Sequence, residues 1–260
     1  MAAILLDVDG VLHVSGEPIR GAADAVERLR ANGHRLRFVT NSTTRSRSAL
    51  ADDLRALGVS LEDDELQTTA AVAARELAGK RVLALTMPAL ADDLTGRMQL
   101  VGFNVDAVLI GGLGEDPEQN ARVFSYPNIA RAFAEVEAGA DLFALHRNRW
   151  WQTKHGPMLD SGAFVAGLEY AAEVEATVLG KPTAAYFAAA LEALDADAGM
   201  TWMVGDDMES DIVGAHACGL RTVLVRTGKF RPEQVERSPV HPDGIVSSIA
   251  QLPDWIEEHL

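Results

Sequence analysis

The chain has 260 residues, 48% of them apolar and 23% charged, which supplies one large or two modest hydrophobic cores and excludes a mainly disordered polymer. Against 23 Lys and Arg stand 38 Asp and Glu, a formal charge of −15, and that field repels a phosphate backbone, so no nucleic-acid partner is expected. Cys218 is the only cysteine, which excludes an intramolecular disulfide and a thiolate metal cluster, and no apolar stretch approaches the ~20 residues that span a bilayer.

Ala2 to Leu6 is an apolar run that ends at Asp7 and lacks the basic flank and longer apolar core of a signal peptide, so a cytoplasmic location with no membrane association is expected. Ala22 to Ala31 has helical periodicity with Gly33 at its stop, and Leu36 to Val39 is a second apolar run, ending at Thr40. Strand, helix and strand in this order make a βαβ unit, which implies a parallel sheet. Helices are predicted over Ser46 to Leu57 and Thr69 to Leu77, each with a glycine behind it.

From about Lys80 to Thr177, strand-like runs (Arg81 to Leu85, Ala107 to Ile110, Leu142 to Leu145) alternate with helices (Asn128 to Glu137, Phe164 to Glu173). None of these strands ends on a carboxylate cluster, and the stretch holds Trp150 and Trp151, so it reads as a second α/β module inserted into the first. Beyond it, Phe187, Leu191 and Leu194 are predicted core positions of a helix. Thr201 to Val204 and Arg221 to Val225 read as buried strands on either side of a helical Ser210 to Cys218, with Cys218 a buried helix-end thiol. Ile245 with Ile249, then Trp255 to Leu260, predict one more strand and a closing helix.

Ligands of open α/β sheets bind outside the carboxyl ends of the strands. The polar residues that follow the apolar runs should therefore converge: Asp7-Val8-Asp9-Gly10, Thr40-Asn41-Ser42, and Gly205-Asp206-Asp207-Met208-Glu209-Ser210-Asp211, joined by Gly180-Lys181-Pro182. Carboxylates so crowded raise one another's pKa unless a cation compensates them, and Mg²⁺ suits carboxylate ligands together with substrate phosphate oxygens. One carboxylate is then free to attack phosphorus while another passes a proton to the leaving oxygen. Asp7 and Asp9, two apart, face the same side of an ideal strand, and Gly10 lets the backbone turn close to a phosphate. Thr40, Asn41 and Ser42 offer hydroxyl, amide and backbone donors to phosphoryl oxygens, and Lys181 supplies a point charge.

Each signal alone has a plainer reading. A strand followed by Thr-Asn-Ser is more often a helix N-cap, and Gly-Asp-Asp is most often a turn. A calcium loop needs its glycine at the sixth position after a helix, whereas Gly10 is the fourth residue of its motif and follows a strand. Gly111-Gly112-Leu113-Gly114 lacks the third glycine and helix of a dinucleotide fingerprint, and Lys181 lacks the earlier glycine of a phosphate loop. The seven histidines lack zinc spacing, and His146-Arg147-Asn148 with Trp150-Trp151 reads equally as a solvated loop or a substrate-facing one.

Taken in this order, the four motifs resemble the haloacid dehalogenase (HAD) superfamily of phosphatases, in the class with a large α/β cap inserted after the second motif (C2-type, subclass IIA). The wording is most similar to the branch that contains phospholysine phosphohistidine inorganic pyrophosphate phosphatase. The resemblance extends to Thr43-Thr44-Arg45-Ser46-Arg47, Phe124 to Asn128, Met158 to Gly162 and Arg226-Thr227-Gly228-Lys229-Phe230, nearly the whole chain. It implies a three-layer Rossmann-like core with a parallel sheet, residues 1–78 and 179–260, and a smaller inserted cap, residues 79–178. It implies a Mg²⁺-dependent phosphohydrolase with an aspartyl-phosphate intermediate and a small phosphorylated substrate: a phosphate monoester, pyrophosphate or a phospho-amino acid. Asp7 would be nucleophile and metal ligand, Asp9 general acid/base and a ligand through its backbone carbonyl, and Asp206 the third ligand. Gly10, Thr40, Asn41, Ser42 and Lys181 would hold the phosphoryl group, with Asp207 and Asp211 orienting the metal waters or Lys181. A homodimer formed through the cap also follows from the resemblance. The alternatives are a phosphotransferase to an acceptor other than water, which product analysis separates, and a slowly turning over phospho-aspartate signalling module, against which Asp9 and the large cap both argue.

Overall fold

The computed structural model describes residues 1–153 and 156–260, and the side chains of all of these except 151–153, so the side chain of Trp151 and all of His155 lie outside the described residues. The chain forms two compact units, one of Met1–Thr40, Ser48–Gln67 and Lys181–Leu260, the other of Asn41–Arg47 and Thr68–Gly180. The second unit thus starts earlier than residue 79 and takes in a short segment directly after Thr40.

The first unit is built on a six-stranded sheet with strand order Gly244–Val246, Arg221–Val225, Thr201–Gly205, Ala3–Asp7, Arg35–Thr40, Leu66–Thr68. From Gly244–Val246 through to Arg35–Thr40 the neighbouring strands run parallel, with Leu6 opposite both Val204 and Phe38, and Asp7 opposite Val39. Strands buried on both faces read as continuous apolar runs, which is why the pattern Ala-Ile-Leu-Leu was visible. Ile4, Leu6, Phe38, Trp202, Val204 and Val223 pack on one face against Val26 and Leu29 of helix Ala22–Ala31 and Ile256 of helix Leu252–His259. Leu5 is equally buried and, by the two-residue period of a strand, faces the opposite layer. In that layer Leu224 packs with Met208 and Ile212. Helices on both faces of a parallel sheet make the three-layer Rossmann-like core.

The second unit has its own parallel sheet, in the order Thr177–Val178, Asp141–Ala144, Ala107–Ile110, Arg81–Leu85, Gln99–Leu100. Leu83, Val108, Ile110, Leu142 and Val165 form a separate core with Phe124 and Ala132, so this is an inserted α/β cap with a hydrophobic centre of its own. Trp150–Thr153 and Gly156–Leu159 pair antiparallel as a separate two-stranded sheet. Among the described residues no helix is long and apolar enough to cross a membrane.

Three expectations need correction. The predicted helix over Ser210 to Cys218 begins earlier, as a π-helical turn Met208–Val213 that continues into Gly214–Ala217, because the Asp207 side chain caps the N–H groups of Glu209 and Ser210. Cys218 closes that helix but is half-buried, and burial raises its thiol pKa. Phe187 is fully buried, whereas Leu191 and Leu194 are half-buried near the end of helix Ala184–Leu194.

Candidate functional site

The strand register dictates which residues meet. Asp7 closes the central strand, Thr40 ends its neighbour one residue beyond the Asp7–Val39 pair, and Asp206 follows Gly205 at the end of the strand on the other side. Asp7, Asp206 and Asp211 are all buried, and each offers a carboxylate oxygen within 4.8 Å of the others. Lys181 Nζ donates to Asp7 Oδ1 and to Asp211 Oδ1, both at 2.7 Å, and its side chain is only 2% exposed.

One ammonium cannot balance three carboxylates, and the titration of the group follows from that excess. Burial, then the Asp211 carboxylate, push Asp7 well above the usual carboxylate range despite the opposing charge of Lys181. Burial and Asp211 raise Asp206 to about 7. Burial alone would lower the Lys181 pKa, but the carboxylates of Asp211 and Asp7 hold it above its ordinary value. The pull of Lys229 and the two N–H groups of the π-helical turn outweigh burial at Asp207 and hold it low.

Asp206 is held on one side only. Its Oδ2 accepts from the Lys229 backbone N–H at 2.6 Å, while Oδ1 is buried and has no hydrogen-bond partner among the described residues. A Cβ at Gly10 would sit 1.9 Å from Asp206 Oδ2, at a φ of +83° that favours glycine, so this position requires the residue it has. An orphaned buried carboxylate oxygen beside two further carboxylates is a hard-oxygen donor set with surplus negative charge, and Mg²⁺ fits it.

Asp9 is not among the converging carboxylates; its side chain is 59% exposed, with the Thr40 hydroxyl 3.5 Å from Oδ2 and His13 Nε2 3.8 Å from Oδ1. Asp211 is buried in the cluster itself, where its Oδ2 accepts from the Asp207 N–H. Asn41 and Ser42 are half-buried and group with the second unit.

Two contributors escaped sequence reasoning. Tyr186 is fully buried, accepts from the Thr40 N–H and lies 2.9 Å from the carbonyl oxygens of Thr40 and Gln67, so it fixes the end of the Thr40 strand. Its hydroxyl serves backbone groups, which leave no mark in a sequence. Lys229 sits in a motif noted for its resemblance, yet the group it uses on Asp206 is its backbone N–H, which any residue but proline supplies.

Residues 4–99 match a family described as haloacid dehalogenase-like hydrolase, and residues 178–252 one described as HAD-hydrolase-like. A phospholysine phosphohistidine inorganic pyrophosphate phosphatase from Xenopus laevis is 38% identical over 97% of this chain and 93% of its own length. Among solved structures, a p-nitrophenyl phosphatase from Archaeoglobus fulgidus superposes with a TM-score of 0.89 at 25% identity, covering 98% of both chains. A glycerol phosphate phosphatase from Mycobacterium tuberculosis, solved in complex with magnesium, is similar at a TM-score of 0.84 and 28% identity, over 96% of this chain and 76% of that one.

Proposed function

The chain belongs to the haloacid dehalogenase-like hydrolases and is a phosphatase of that family, and from this premise we propose that it is a Mg²⁺-dependent phosphohydrolase whose nucleophile is Asp7. What supports this most directly is the buried Lys181 ammonium, 2.7 Å from Asp7 and from Asp211, beside an unpartnered Asp206 oxygen.

Lys181 engages Asp7 Oδ1, which leaves Oδ2 to attack phosphorus and form the aspartyl-phosphate. The exposed carboxyl of Asp9 protonates the leaving oxygen and then, as carboxylate, takes a proton from the water that hydrolyses the intermediate. Gly10, whose own N–H donates to the His13 carbonyl, lets the backbone turn close to the phosphate, Thr40, Asn41 and Ser42 donate to the phosphoryl oxygens, and Lys181 offsets their charge. Asp7, Asp206 and the Asp9 backbone carbonyl would hold Mg²⁺, which when bound neutralises the carboxylates and the phosphoryl oxygens. Asp211 orients Lys181, and Asp207 caps the turn that carries Asp211.

Residues 1–78 and 179–260 carry the chemistry in this reading, and the cap selects among small phosphorylated substrates: phosphate monoesters, pyrophosphate or phospho-amino acids. The family resemblance also supports a homodimer formed through the cap, and the single Cys218 is consistent with a cytoplasmic setting.

The test is hydrolysis of p-nitrophenyl phosphate, then of a panel of phosphorylated metabolites, before and after chelation. Turnover should vanish in EDTA and return with excess Mg²⁺. An undiminished rate in the chelated protein would count against the metal assignment.

A further inference from the structure

Three motifs that the proposed chemistry leaves without a role meet in one buried cluster of the second unit: Thr43, His146 and Asp160, with Gly112 against them. Thr43, His146 and Asp160 are 3%, 3% and 4% exposed. His146 Nε2 lies 3.1 Å from Thr43 Oγ1 and 3.9 Å from Asp160 Oδ2. On the other side of the ring, Nδ1 accepts from the Asn148 N–H at 3.3 Å. An accepting Nδ1 carries no proton, so the ring proton sits on Nε2 and His146 donates to Thr43.

The cluster is braced from two directions. Asp160 Oδ1 accepts from the N–H groups of Leu113 and Ser161, at 3.2 and 2.7 Å, which holds its Oδ2 toward the ring. Gly112 presses on the contact itself: a Cβ there would lie 2.0 Å from Thr43 Oγ1 and 2.6 Å from His146 Nε2. The glycine run that fails as a dinucleotide fingerprint therefore has a packing use, since only a residue without a side chain leaves room for the Thr43–His146 hydrogen bond.

Thr43 ties the segment Asn41–Arg47 into the second unit, together with other contacts of that segment. A Cβ at Gly180 would lie 2.8 Å from Asn41 Oδ1, and the Arg47 N–H donates to Asp93 Oδ2 at 2.8 Å. Ser42 lies between Asn41 and Thr43 in the chain. We infer that His146 is a positioning residue: its Nε2–H bond to Thr43, steadied by Asp160, sets the backbone of Asn41 and Ser42 in the conformation that holds the transferred phosphoryl group. This rests on the assignment of Asn41 and Ser42 to that group, made above. His146 acts through Thr43, so its loss should weaken every ligand that presents a phosphoryl group, whatever the leaving group, and leave the Mg²⁺ requirement as it was.

The experiment compares Thr43→Val, His146→Leu, their double variant and His146→Gln, which keeps an N–H donor near the Nε2 position. Losing a buried hydrogen bond should lower kcat/KM for p-nitrophenyl phosphate roughly tenfold in each single variant, and raise the inhibition constant of inorganic phosphate by a similar factor. The Mg²⁺ concentration for half-activation should stay unchanged, the double variant should be no worse than the poorer single one, and His146→Gln should recover most of the loss. Wild-type kcat/KM and phosphate inhibition in Thr43→Val, effects that multiply in the double variant, or failure of His146→Gln to recover either constant would each overturn the inference. Should His146→Leu not fold, Thr43→Val and His146→Gln decide the matter alone. Full activity in Asp7→Asn would instead remove the underlying reading, whereas an inactive Asp7→Asn with fully active Thr43→Val removes only the role of His146.

Discussion

Asp7→Asn should lower Mg²⁺-dependent hydrolysis by at least about 10⁴-fold, the scale on which enzymes lose rate when a covalent nucleophile is removed. The same substitution should leave the fold intact, for a reason specific to this site. Asp7 shares one ammonium with Asp206 and Asp211, and burial among those charges already raises its pKa, so a neutral amide relieves repulsion as it breaks one charge-assisted hydrogen bond. The melting temperature of metal-free Asp7→Asn should therefore equal or exceed that of the parent. Activity within tenfold of the parent, in a variant that melts normally, would remove Asp7 from the role of nucleophile.

Lys181→Met should do the opposite to stability. Methionine fills similar volume, but Asp7, Asp206 and Asp211 would be left buried with no cation. Removing one partner of a buried ion pair typically destabilises by about 3–5 kcal/mol, and here the remaining side has surplus charge. Urea unfolding of the chelated variant should show a loss of that order, partly recovered with Mg²⁺, which binds the folded carboxylates. Turnover should stay at least about 100-fold below the parent even at saturating Mg²⁺, since a metal ion does not replace the ammonium at Asp7 Oδ1. A chelated variant as stable as the parent would contradict the charge balance described for the site.

The strand ends were legible because each is an apolar run that stops on a polar residue, and parallel pairing brings such stops to one edge; Asp7, Thr40 and Asp206 follow from that alone. Lys181 was legible only as part of a combination. Asp211 was harder, because its place among the three carboxylates depends on the π-helical turn, and no residue pattern separates that turn from the start of an α-helix. The segment Asn41–Arg47 reads as the approach to a helix, yet it packs within the second unit through Thr43 and His146, 103 positions apart. Helix Tyr126–Glu137 likewise begins two residues before the expected Asn128, because Pro127 is tolerated in a first helical turn, where its missing N–H has no partner to lose.

The most direct measurement is to stop turnover with acid, reduce the protein with borohydride and sequence the N-terminal peptide by mass spectrometry. An acyl phosphate is reduced to an alcohol, so homoserine should appear at position 7 in samples given substrate and Mg²⁺, and in none given EDTA. Homoserine at position 9 or phosphate on a histidine would assign the attack on phosphorus to another residue, and an unmodified peptide during active turnover would mean that water attacks the substrate directly.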